Sequence, residues 1–110
     1  MTIMTRPELY ELHETICAAA LELMKKKNVD YAASDDPFRN FRMFETFGVV
    51  VRMGDKFSRL RSYEENGSLQ VKDELIEDTL MDLINYAVIY LAMHREKTGQ
   101  LELDSSEVPF

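Results

Sequence analysis

The sequence predicts an all-α chain, a small bundle of three to four helices, on three observations. Apolar residues recur at helical spacing in three long stretches, no stretch alternates with a period of two, and turn chemistry falls between the stretches. The chain has 110 residues, enough for one core. Its 45% hydrophobic and 30% charged residues mark a soluble globular chain rather than a disordered one. The expected organisation is one domain over residues 1–99 and a tail over 100–110.

The first helix is expected within "TRPELYELHETICAAALELMKKKN". Thr5 and Glu8 have the spacing of a capping box, and Pro7 suits a first turn because its missing N–H has no partner there anyway. Leu9, Leu12, Ile16, Cys17, Ala20 and Met24 form one stripe, expected to be buried. Lys25, Lys26 and Lys27 suit the C-terminal end of a helix dipole. "NVDYAASDDPFRNF" follows as a long loop. The second helix is expected over "RMFETFGVVVRMGDKFSRLRSYEE", with Asn66-Gly67 as the break after it. The third runs from about Asp73 to Thr98, stopped by Gly99. Beyond Thr79 it is hydrophobic nearly all round, which predicts burial.

The net charge of -7 argues against duplex nucleic acid, whose binding needs a basic surface. No membrane span is expected, because Asp82 and Asn85 interrupt the longest apolar run. The start lacks the basic-then-apolar pattern of a signal peptide, so a cytoplasmic protein is expected. The single cysteine, Cys17, reads as core filler without basic neighbours. His13 and His94 lie on separate helices without ligand spacing.

Two stripes carry the candidate chemistry. Glu74, Asp78, Asp82 and Asn85 lie within roughly 80° of the third helix's circumference. Like charges four residues apart repel, so the row asks for a counter-charge. Arg52, Asp55, Lys56 and Arg59 form one face of the second helix at i, i+3, i+4 and i+7. The stripes are solvent faces, or they pair as ions (Arg52 or Arg59 with Asp78 or Asp82), or they face a cleft. In the cleft, the acids would hold Mg²⁺ and the bases phosphate.

The segments "KKKNVDYAASDDPFRNFR", "VVRMGDKFSRLRSY" and "DELIEDTLMDLINYAVIY" resemble the nucleotide modification associated domain 1 family of phages and bacteria. That family is similar in turn to the MazG-like all-α nucleoside triphosphate pyrophosphohydrolases. The resemblance implies an enzyme that cleaves a triphosphate to monophosphate and pyrophosphate with Mg²⁺, or with Mn²⁺. It implies Asp55, Glu74, Asp78 and Asp82 as metal ligands and catalytic carboxylates, and Arg52, Lys56 and Arg59 as phosphate contacts. Asn28, Asp30, Tyr31, Asn40 and Arg42 would shape the nucleotide pocket, with Asn85 and Tyr86 against base or sugar.

The pattern departs from the MazG-like one, which pairs glutamates as E-x-x-E on one helix and E-x-x-D on the next. Here the second helix has one acid among bases, and the third spaces its acids by four. Glu11-x-x-Glu14 matches E-x-x-E but reads as a solvated face of the first helix. These departures leave two alternatives: a protein that sequesters a nucleotide or cyclic nucleotide without hydrolysis, and a helical oligomerisation module. The aromatic segment "FRNFRMFETF" further suggests a homodimer or homotetramer.

Overall fold

Helix starts and stops are where the chain's local chemistry is most readable. In the computed structural model, which describes residues 2–29, 35–67 and 75–99, α1 spans Arg6–Val29. The Thr5–Glu8 capping box forms: the Glu8 N–H donates to the Thr5 hydroxyl and the Thr5 N–H to the Glu8 carboxylate, each at 3.3 Å. A 3-10 turn covers Arg39–Phe41, α2 spans Glu45–Asn66 and α3 spans Ile76–Thr98. No strand occurs among the described residues, and the all-α expectation holds. Gly67 and Gly99 end α2 and α3 with φ of +74° and +75°. That left-handed conformation costs glycine nothing, since it has no Cβ.

The chain divides into two compact units, Met1–Pro37 and Phe38–Phe110. In the first, the stripe expected to be buried is so only in part: Ala20 is buried and Met24 half-buried. Leu9, Leu12, Ile16 and Cys17 are exposed on α1, so Cys17 is not core filler. Its Sγ lies 3.7 Å from Nδ1 of His13, one turn earlier. Spacing alone brings them together, although the sequence reading found no basic neighbour for the thiol. Glu11 and Glu14 are exposed, as expected of a solvated face.

In the second unit α2 and α3 pack as an antiparallel pair. Lys56 meets Asp82, while Arg42, just before α2, reaches Glu96 near the end of α3. Val49 of α2 and Thr79 of α3 are fully buried, and Met93 nearly so. Phe41 of the 3-10 turn packs edge-to-face on Tyr86, centroids 6.3 Å apart. Leu80, Val88 and Leu91 of α3 are exposed, so this helix is not buried all round. One neighbouring helix can cover only one side of a cylinder, and the other side remains open.

Glu45, the first residue of α2, has φ of +52°. This conformation strains any residue with a Cβ by about 1 kcal/mol. Glu45→Gly is therefore expected to be more stable than Glu45→Ala by about 1 kcal/mol. That inverts the usual helical ranking, in which alanine leads glycine by a similar amount. Urea denaturation of the two variants checks it; a more stable alanine variant would show that the backbone strain is absent.

Candidate functional site

The basic row of α2 and the acidic row of α3 meet at Lys56 and Asp82. Nζ of Lys56 lies 3.0 Å from Oδ2 of Asp82, with the two side chains only 13% and 17% exposed. Lys56 is thus a counter-charge of Asp82. An ammonium and a carboxylate withdrawn from water lose hydration, and their contact offsets that loss only while both are present. The position follows from register: Lys56 stands seven residues after the buried Val49, so the same side of α2 carries both toward α3.

The neighbouring residues are partnered otherwise. Asp78 lies in the first turn of α3, where its Oδ2 accepts the Leu75 N–H at 3.4 Å. This satisfies one orphan donor of the helix start, and the carboxylate's charge suits the positive end of the helix dipole. Asp55 is exposed and pairs with Arg59 at 3.5 Å, one turn away on α2. Arg52 is exposed and makes no ion pair among the described residues. Asn85 is half-buried on α3. Glu74, Asp30 and Tyr31 lie outside the described residues, as does the side chain of Asn28 in the last turn of α1.

In the "DPFRNFR" segment Arg42 is held from two sides. Arg42 donates to both carboxylate oxygens of Glu96, at 2.7 and 3.1 Å, and its guanidinium sits 5.2 Å from the centroid of the Phe38 ring. Such a fork-to-fork pair fixes geometry as well as charge. Sequence reasoning missed Glu96, because a partner 54 residues away leaves no local signal. Asn40 is exposed on the 3-10 turn, and Tyr86 is engaged by Phe41. A shallow cavity of about 290 Å³ lies beside the Arg42–Glu96 clasp, lined by Phe38, Val88, Leu91, Ala92, Arg95 and Glu96. It is small for a nucleotide and holds neither Lys56 nor Asp82.

A divalent cation needs several oxygen ligands converging on one point. Among the described residues no three His, Cys, Asp or Glu side chains do so. Asp78 and Asp82 are one turn apart and have the right donor chemistry, but Asp78 caps a helix and Asp82 holds an ammonium. The described residues gather no such set, and Glu74, the first acid of the row, lies outside them. What they offer is a cationic ridge on α2, with Lys56 lodged against α3 and Arg52 and Arg59 a turn to either side.

A family model described as nucleotide modification associated domain 1 matches residues 27–93, more than half of the chain. No curated protein and no solved structure matches it.

Proposed function

Because the chain belongs to the nucleotide modification associated domain 1 family, we propose that it binds nucleotides by their phosphates along the Arg52–Lys56–Arg59 ridge of α2. The half-buried Lys56–Asp82 pair carries this reading. Its ammonium is held at the mouth of the α2–α3 contact by a single carboxylate at 3.0 Å. A phosphate group carries more charge than that carboxylate and offers more acceptor oxygens. It competes for Lys56 as a point charge, while the guanidinium of Arg52 supplies a planar fork. Asp82 then holds the lysine in place when no ligand is bound, and Asp55 restrains Arg59 in the same way.

A second reading is a Mg²⁺-dependent pyrophosphohydrolase that releases monophosphate and pyrophosphate from a nucleoside triphosphate. The spacing of Glu74, Asp78 and Asp82 favours it, with Glu74 outside the described residues. Magnesium would supply charge neutralisation and an activated water.

One experiment addresses both. The protein is titrated calorimetrically with mono-, di- and triphosphates of several nucleosides, with Mg²⁺ or with chelator, and the mixtures are then separated for products. Binding is expected to strengthen with phosphate number and weaken as salt rises. Lys56→Gln should lower the affinity about tenfold, the weight of one charge-assisted hydrogen bond. Absence of binding to every triphosphate would remove the proposal, whereas pyrophosphate release only with Mg²⁺ would move it to the hydrolase.

A further inference from the structure

α2 carries a second face, opposite the one that meets α3. Phe47, Val50, Val51, Gly54 and Phe57 recur at three- and four-residue steps, span three turns and include no charge. Phe47, Val50, Val51 and Phe57 are 68%, 48%, 57% and 56% exposed, in contrast to the fully buried Val49 between them. At Gly54 the surface is notched, for a Cβ built there would find nothing within 4 Å. An uncharged seam of this length on a chain of net charge -7 is not an ordinary solvent face.

We infer that this seam is the interface with a second copy of the chain, the two α2 helices crossing antiparallel about a two-fold axis near position 52. The seam is complementary to itself in that register. In an antiparallel pair centred on 52, each Phe47 stands opposite the partner copy's Phe57, and each Val50 opposite the notch at Gly54. Two aromatic contacts and two knobs in two notches result, the self-complementary pattern a two-fold interface requires.

The area agrees. With Met43 at 84% and Phe44 at 65% exposed just before α2, the apolar surface of this region is on the order of 500 Å² per copy, taking roughly 200 Å² for a whole aromatic side chain. Closing two copies then buries about 1,000 Å², the lower bound for a specific interface. The Lys56–Asp82 face points away from the seam, so this inference is independent of the nucleotide reading.

Sedimentation of the full chain at about 50 µM is expected to give twice the chain mass of 12.8 kDa, and Phe57→Glu to give one chain mass with unchanged helical circular dichroism. The register is read in a Cys17→Ser background by oxidising Val50→Cys and Gly54→Cys chains alone and mixed. A covalent dimer is expected only in the mixture. Three results would overturn the inference: a monomeric wild type, whose seam is then open or covered by its own segments; dimers that persist in Phe57→Glu; or cross-linking of Val50→Cys with itself.

Discussion

Replacing Lys56 with methionine is expected to lower stability by about 2–3 kcal/mol. Breaking a fully buried pair typically costs about 3–5 kcal/mol, because the remaining charge is stranded away from water. Here the two side chains keep 13% and 17% exposure and Asp82 has a further interaction besides Lys56, so part of its charge stays compensated and the lower range applies. Adding Asp82→Leu to Lys56→Met should recover most of the loss, since two apolar side chains of similar volume suit an apolar contact. A double-mutant cycle by urea denaturation, at one protein concentration throughout, gives the coupling directly. A cost for Lys56→Met below about 0.5 kcal/mol would place the pair among solvated surface bridges and would undercut its role as the hinge of the proposed site.

Val49→Ala is expected to be the next most damaging of the single changes, at about 2 kcal/mol. Two methyl groups leave a fully buried site; each is worth roughly 0.8 kcal/mol in transfer, and the cavity adds to that. In a chain whose second unit buries few large apolar side chains, such a loss is a sizeable share of a marginal stability. The melting temperature should fall by roughly 10 °C. Val50→Ala, one residue on and exposed, should cost little at micromolar dilution and more as protein concentration rises. Equal costs for both changes at all concentrations would mean that the two faces of α2 are not distinct.

Local chemistry was the legible part of the sequence. Thr5, Glu8 and Pro7 fixed the start of α1, and Gly67 and Gly99 fixed the ends of α2 and α3, because each signal acts within one turn. The charged rows were legible as rows, and the need of Asp82 for a counter-charge followed from its place in an apolar helix. That Lys56 stands against Asp82 depends on the rotation of α2 about its axis, which the anchoring of Val49 decides. What the sequence misplaced were the apolar faces. Leu9, Leu12 and Ile16 on α1, and Leu80 and Leu91 on α3, have the spacing of core residues yet are exposed in one chain. Periodicity reports that a face seeks cover. It does not report whether the cover lies in the same molecule.

The Arg42–Glu96 clasp has a consequence for the order of assembly. Those two residues are far apart in sequence, and their union closes a long loop, so the entropy of closure weighs against making it early. The α2–α3 hairpin forms its other contacts over shorter separations, and such local structure tends to come first. The clasp is therefore expected to form in the last step of folding. Loosening it quickens escape from the native state while leaving the speed of reaching that state nearly unaltered.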